Sequence, residues 1–588
     1  MCGIIGHITL SGTIDQNLFV SMRDTLKHRG PDDAGTYYNA EGTIALGHRR
    51  LSFFDLGPKG HQPMPYADGR YWITYNGEIY NFREVRKELA LLGYTFQSET
   101  DTEVLLAAYQ EWGKHMFHRL KGMYALGILD LETQKLLLAR DRFGIKPLYY
   151  YQSNGHFIFA SELKAIIRSD IVPKEIDVSS FADYFVYRYI PSPKTIWKDV
   201  KKLPPAHLLV IDLASLKGQP EEYWKPQLQN RREEEGEMIQ QVDKMLLSSI
   251  DIHRRADVPV GSFLSGGYDS SALVYYLSRV SYKPKTFSIG FEEWQNSEHR
   301  FADIVAKEYG VENEAVIAKE SDLDLLDIMP EVYDEPIADI SIVPTYMVSR
   351  LARTKVKAVL SGEGADELFC GYTWQKDFGK TSSIKERLLN WLSPAPITAY
   401  YANAMAMGRF DNEELKRLLP PQQHRHIAKN VDWFYQQHAQ GLPPKLKTLQ
   451  WLDTKCFMAE LVLTKVDRAS MANSLEVRVP FLDHELFEYV LSTDEKVYFK
   501  PAVTKYLLHE NLKGHLPEAI LDRKKQGFVG PDSYYMNIDW YQQQLQDSTL
   551  VKAGLINEGY VTTLLENADH WRLWKLLVME KWYRHWMG

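Results

Sequence analysis

The chain opens Met1-Cys2-Gly3-Ile4, and Cys2 has the means to act as a nucleophile. If the initiator Met1 is removed, the Cys2 thiol and a free α-amino group share one residue. An α-amino group has a pKa of roughly 7.7–8.0, so near neutral pH it can take a proton and give it back. A thiol beside such a base is activated without any histidine. The alternative is a reducible cysteine in a frayed terminus. The rest of the chain decides between the two.

Two glycine-rich loops offer a second chemistry. Residues 258–264 read as a buried strand, and Ser265-Gly266-Gly267-Tyr268-Asp269-Ser270-Ser271 leads from it into a helix. Glycines there let backbone amides close around an anion. Ser270 and Ser271 stand where a helix cap is expected, and a helix N-terminus favours negative charge. The Gly-Lys-Ser/Thr of a kinase-type P-loop is absent. Asp269 would repel phosphate unless a cation intervened, which points to Mg²⁺ between Asp269 and the phosphates. The second loop, Ser361-Gly362-Glu363-Gly364-Ala365-Asp366-Glu367, follows a strand read at 355–360. Its three carboxylates lie at the sheet edge where open α/β folds bind ligands. Asp366 is the candidate second metal ligand. Glu363 is the group to meet a substrate amine or guide a proton. Either loop alone could be an ordinary turn; the pair points to a nucleotide site.

These groups need elements to hold them. Residues 1 to about 210 read as short strands with intervening helices, including strands at 3–10, 71–75 and 125–130 and helices at 15–26, 82–92 and 103–113. Many strands with few helices suggest sheets covered by helices. A linker is read at 211–235, where Gly218, Pro220, Pro226 and a charged run interrupt the pattern. From a helix at 238–253 onward, strand and helix alternate, which implies a parallel sheet. Beyond about 375 the chain reads as mostly helical.

Composition narrows the function classes. At 588 residues two or more domains are expected. A net charge of −8 leaves no basic footprint for nucleic acid. Three cysteines, Cys2, Cys370 and Cys456, are too few for a disulfide framework and fit a reducing compartment. No signal peptide, zinc spacing or transmembrane run is read. A cytoplasmic enzyme with no membrane contact is the expectation.

Several motifs then occur in order: Met1-Cys2-Gly3-Ile4, His28-Arg29-Gly30-Pro31-Asp32, Arg50-Leu51-Ser52, Asn76-Gly77-Glu78-Ile79-Tyr80-Asn81, Asp101-Thr102-Glu103, Arg140-Asp141-Arg142-Phe143-Gly144, the two loops, and Arg478-Val479-Pro480-Phe481-Leu482-Asp483. With them the chain resembles the glutamine-dependent asparagine synthetases of the class II amidotransferase group, over nearly its whole length. The resemblance implies an α+β glutaminase domain at 2–210, an N-terminal-nucleophile hydrolase with an αββα sandwich. It implies an α/β domain of ATP-pyrophosphatase type at 236–588, a parallel sheet with added helices. Glutamine, ATP with Mg²⁺, and a carboxylate acceptor are the implied ligands, and a homodimer is the implied assembly.

The resemblance also implies roles. Cys2 attacks the glutamine carboxamide. Arg50 pairs with the glutamine α-carboxylate, Asp101 and Glu78 hold its amino end, and Asn76 and Gly77 form the oxyanion hole. Ser265, Gly266, Gly267, Asp269 and Ser270 cradle pyrophosphate, with Ser361 and Gly362 in the ATP set. Asp269 and Asp366 hold Mg²⁺, and Leu264 and Ile289 meet adenosine. Glu363 and Lys505 stand at an acyl-adenylate. L-Aspartate is the leading acceptor; sugar uronates and peptide carboxylates, used by paralogues, are the alternative. A non-catalytic or glutaminase-only binding protein is a third reading, opposed by the presence of Cys2 and the loop carboxylates. Three places depart from the pattern for asparagine formation: Tyr268 in the first loop, Cys370 within Phe369-Cys370-Gly371-Tyr372, and 338–344, which lacks an arginine found near the substrate in some members.

Overall fold

Alternation of apolar and polar residues makes strands, and seventeen occur among the described residues of the computed structural model. It describes residues 2–226, 231–292, 294–295, 297–380, 397–442, 445–521, 523 and 530–588; Met1 and part of the expected linker lie outside them. The strands are β1 Gly3–Thr9, β2 Asp33–Tyr38, β3 Ile44–Arg50, β4 Met64–Tyr66, β5 Tyr71–Ile79, β6 Gly122–Asp130, β7 Lys135–Arg140, β8 Tyr149–Ser153, β9 His156–Ala160, β10 Val200–Lys202, β11 His207–Asp212, β12 Pro220–Glu222, β13 Val260–Phe263, β14 Thr286–Phe291, β15 Asn313–Ala318, β16 Ala358–Leu360 and β17 Glu476–Arg478.

The first twelve form two antiparallel sheets, in the orders β10-β8-β9-β1-β3-β2 and β12-β11-β7-β6-β5-β4. Ile4 and Ile8 of β1 and Leu46 of β3 share one core with Leu129 of β6 and Leu136 and Leu138 of β7. Ile5 points the other way and joins a separate core that includes Phe19 and Met22 of the helix Gln16–Asp24. The period of two thus gives β1 one face against the second sheet and one face under a helix. Helices Phe82–Leu91 and Asp101–Trp112 pack together, the latter against β5. The layers run helix, sheet, sheet, helix. The linker read from 211 is shorter than expected at its start: β12 pairs with β11 across Leu208 and Glu221. Gly218 and Pro220 break the pattern there, yet a three-residue edge strand tolerates proline.

The last five strands form a parallel sheet, ordered β15-β14-β13-β16-β17. From β13 the chain builds outward to β14 and β15, then returns to place β16 on the other side. The order therefore reverses between β13 and β16, which is where open α/β sheets leave a ligand crevice. The loops at Ser265 and Ser361 leave the C-terminal ends of those two strands. β17 lies inside a region that reads as helical; three residues are too few to show periodicity.

A buried ion cluster joins the two halves. Arg29 Nη1 donates to Glu162 Oε1 at 2.7 Å and to Asp467 Oδ2 at 2.9 Å, and Nη2 donates to Asp467 Oδ1 at 3.1 Å. Arg468 Nη1 lies 2.8 Å from Glu162 Oε1, and Lys164 Nζ lies 3.3 Å from Asp334 Oδ1. Burial alone would push the Glu162 carboxyl up; His28, Lys164 and Arg468 outweigh it and hold it well below the usual range. Removing one partner of a buried pair leaves a charge uncompensated, at a cost of about 3–5 kcal/mol. Asp467→Asn should therefore lower the denaturation midpoint markedly, whereas Lys198→Ala, which breaks an exposed pair with Glu175, should shift it little. Equal shifts in guanidinium titrations would contradict this.

Candidate active sites

Antiparallel pairing builds the first site. Gly3 of β1 stands opposite Arg49 of β3, so Cys2 comes to lie beside Arg50. The Cys2 backbone N donates to Asn76 Oδ1 at 2.9 Å. Asn76 is fully buried in β5, and its Nδ2 has no hydrogen-bond partner among the described residues. A buried amide donor without a partner is costly, and Asn76 is not among the residues that line the cavity beside Cys2. Gly77 follows it, where a Cβ would meet Met123 O at 2.1 Å; only glycine permits that cross-strand approach.

Cys2, Arg50, Gly77, Glu78 and Asp101 line one small cavity of about 40 Å³. Arg50 Nη1 donates to Gly57 O, and Nη2 donates to Phe54 O and Asp55 O, at 2.7–3.1 Å. Among the described residues, Nε–H and a second Nη1–H make no hydrogen bond. A Cβ at Gly60 would fall 1.9 Å from Arg50 Nη2, so Gly60 makes room for the guanidinium. Asp101 begins a helix capped by Thr100 and accepts from Tyr75 OH at 2.9 Å and Ile79 N at 3.0 Å. Burial pushes Cys2 above its ordinary value of 9.0, so the thiol needs a proton acceptor to attack at neutral pH. Burial also raises Glu78 well above the usual range, with Glu476 adding to it and Arg478 opposing. Arg478 Nη2 lies 3.6 Å from Glu78 Oε1, so β17 of the parallel sheet reaches the wall of the first cavity.

The second cavity, about 410 Å³, occupies the crevice at the strand-order reversal. Leu264, Ser265, Gly267, Asp269, Ser270, Ile289, Ser361, Gly362, Glu363, Asp366 and Lys505 all line it. Gly266 does not, but it has φ +71° and a Cβ there would fall 2.4 Å from Phe301 Cβ, so the loop needs glycine. The capping expectation requires correction: the helix starts at Tyr268 and its cap is Gly267, so Ser270 and Ser271 sit in the first turn. Ser270 Oγ instead accepts from Ser265 N at 3.1 Å and closes the loop on itself.

Asp269 and Asp366 converge on one point. The Lys505 ammonium bonds Asp269 and lies 2.7 Å from Asp366 Oδ1. Burial would lower this lysine, but the two carboxylates outweigh it and hold it above its ordinary range. Two hard carboxylate oxygens meeting where a cation already sits are a donor set that fits Mg²⁺. Burial raises Glu363, and its Oε2 is buried without a hydrogen-bond partner among the described residues.

Sequence reasoning named Cys370 and Gly371 only as a departure from the family pattern and gave them no role in the site. Gly371 allows the whole contact: its Cβ would fall 1.9 Å from Asp366 Oδ1 and 2.4 Å from Lys505 Cε. Cys370 before it has φ +58°, a left-handed conformation that costs a non-glycine residue about 1 kcal/mol. Arg188, Asp339 and Lys465 also line the cavity. Asp339 would be raised by burial, but Lys465, Ser341 and Arg188 hold it below its ordinary value, so it stays ionised. Asp339 stands in the segment 338–344 named above, whereas Arg188 and Lys465 belong to no motif and lie far off along the chain.

Residues 1–224 match the glutamine amidotransferase domain, and residues 241–584 match asparagine synthase. The glutamine-hydrolyzing asparagine synthetase 1 of Bacillus subtilis (strain 168) is 35% identical, covering 99% of this chain and 96% of its own length. A putative glutamine-hydrolyzing asparagine synthetase of Mycobacterium tuberculosis (strain ATCC 25618 / H37Rv) is 32% identical over 99% of this chain and 97% of its own. Amidase chry2 of Gibberella zeae is 26% identical over 95% and 93%.

With a buried thiol in one half and a crevice of paired carboxylates in the other, the protein is a carbon–nitrogen ligase that takes its nitrogen from glutamine. It carries out glutamine-dependent amidation. The chain belongs to the glutamine-hydrolysing asparagine synthetase family. Among the described residues, no helix is long and apolar enough to cross a membrane.

A methyl group at position 371 has no space beside Asp366 and Lys505. Displacing reacting groups by about 1 Å can cost about a hundredfold in rate. Gly371→Ala should therefore lower ligase turnover strongly while glutamine hydrolysis persists. Full ligase turnover in this variant would contradict the steric reading.

Proposed function

We propose that the chain converts L-aspartate into L-asparagine, releasing glutamate, AMP and pyrophosphate from glutamine and ATP. Cys2 Sγ attacks the glutamine carboxamide carbon. After removal of Met1, the Cys2 α-amine takes the thiol proton and passes it to the departing ammonia. Asn76 Nδ2 and the Gly77 N–H donate to the oxyanion of the tetrahedral intermediate. Arg50 pairs with the glutamine α-carboxylate, and Asp101 and Glu78 hold its α-ammonium. Water then releases glutamate from the thioester.

In the crevice, the aspartate side-chain carboxylate attacks the α-phosphate of ATP and pyrophosphate leaves. Ser265, Gly266, Gly267, Asp269 and Ser270 cradle that pyrophosphate, with Ser361 and Gly362 beside it. Leu264 and Ile289 meet the adenosine. Asp269 and Asp366 would hold Mg²⁺, which neutralises phosphate charge when bound. Lys505 stabilises charge at the acyl-adenylate, and Glu363, with its raised pKa, takes a proton from the attacking ammonia. Ammonia crosses inside the protein and displaces AMP, which keeps the thioester and the adenylate from water.

One observation carries this reading: Arg29 Nε donates to Cys2 O at 3.1 Å while its other nitrogens hold Asp467. Asp467 lies on the helix Leu463–Met471, which also carries Lys465 of the second cavity. The nucleophile is tied to the wall of the crevice by two side chains. The test is Cys2→Ala with a panel of acceptors. Aspartate should drive pyrophosphate release and amide formation with ammonium, and no amide should form with glutamine. Loss of both activities would overturn the division of labour. Release with a uronate or a peptide carboxylate, but not with aspartate, would overturn the acceptor.

A further inference from the structure

The cations lining the second cavity are not equivalent. Lys505 sits between Asp269 and Asp366. Arg523 donates to Ser265 O at 3.2 Å and lies 3.4 Å from Glu298. Lys465 donates to Ser341 Oγ at 2.6 Å and lies 3.5 Å from Asp339. Arg188 forms no salt bridge among the described residues. Its Nη1 reaches only Met407 Sδ, at 3.5 Å, and its Nε is buried without a hydrogen-bond partner. The guanidinium lies 5.8 Å from the centre of the Phe457 ring. A thioether is a weak acceptor, and Asp339, the carboxylate whose charge this guanidinium helps to stabilise, makes no salt bridge to it among the described residues. The guanidinium fork lines the pocket with its Nε donor unused.

An acid stands beside this fork. Ala338 N donates to Arg188 O at 2.9 Å, which fixes the neighbouring Asp339 relative to Arg188. Asp339 Oδ1 takes the Ser341 N–H at 2.8 Å, the Ser341 hydroxyl and Lys465. Oδ2 has no hydrogen bond among the described residues. Arg188 itself ends the helix Val178–Tyr187 in the left-handed conformation, at φ +73°. Backbone bonds on both sides of Arg188 hold that conformation.

We infer that Arg188 and Asp339 clamp the α-carboxylate and the α-ammonium of an amino-acid acceptor, and so select it. The inference rests on the aspartate reading and supplies the partners for the two α groups. The acceptor's side-chain carboxylate is then left free to face Ser265, Glu363 and Lys505. The planar fork of Arg188 suits a carboxylate. Because Arg188 comes from the amino-terminal half, the acceptor pocket is complete only when both halves are docked.

The experiment uses ammonium as nitrogen source and pyrophosphate release as readout. The wild type is compared with R188Q, R188K and D339N. L-Aspartate is the acceptor; β-alanine, which lacks the α-carboxylate, and succinate, which lacks the amine, are competing inhibitors. R188Q should raise the KM for aspartate by about tenfold to a hundredfold, as loss of a charge-assisted bond does. It should leave kcat less affected and β-alanine inhibition unchanged. D339N should weaken aspartate but not succinate, and R188K should recover part of the loss. Glutamine hydrolysis at Cys2 checks that each variant is folded. If the wild type uses aspartate and R188Q leaves its KM unchanged, or weakens aspartate and β-alanine equally, the clamp is wrong and the aspartate reading stands. If the wild type does not use aspartate, that reading falls and the clamp falls with it.

Discussion

The structure depends on the ion cluster around Arg29. One guanidinium bonds the carbonyl of Cys2, the carboxylate of Glu162 and the carboxylate of Asp467. These belong to the residue that leads into β1, the exit from β9 and a helix beside the parallel sheet. Taking such charges out of water costs several kcal/mol per ion, and their mutual attraction repays this only in good geometry. The cluster is therefore a weak source of net stability but a strict judge of position. A rotation of one half against the other would leave charges unpaired in a dry interface. Arg478 adds a second tie, running from β17 to Glu78 and to the carbonyls of His253 and Arg255.

The second constraint is the strand order of the parallel sheet. Reversal between β13 and β16 brings two loops, nearly a hundred residues apart in sequence, to one crevice. Gly362 shows how close they come: a Cβ there would fall 2.7 Å from Asp269 Cβ. Small residues at Gly362 and Gly371 let the carboxylates of both loops meet at Lys505. The charges of the crevice are arranged by backbone proximity, and side-chain reach completes the arrangement.

Local chemistry was legible from the residues alone. The glycine loops announce themselves by composition, and the strands before them by their apolar runs. Cys2, Arg50, Gly77, Glu78 and Asp101 were assembled by resemblance, and they do line one cavity. What the residues could not reveal were pairings across long stretches of chain. Arg29 was visible as part of a motif, but its bond to Asp467 spans 438 positions. Arg188 belongs to no motif of the sequence, and only folding brings Met407 and Phe457 to it. β17 escaped because three residues have no period. Serine is the commoner cap, but here the cap is Gly267, three residues before Ser270. Cys370 looked like an interruption; its left-handed backbone explains why glycine is expected there.

The central claim is that nitrogen released at Cys2 reaches the crevice without entering solvent. Synthesis from glutamine labelled with ¹⁵N in its amide, in the presence of excess unlabelled ammonium, tests it most directly. The account predicts a product amide far richer in ¹⁵N than the ammonium pool. A product whose ¹⁵N content equals that of the pool would contradict it.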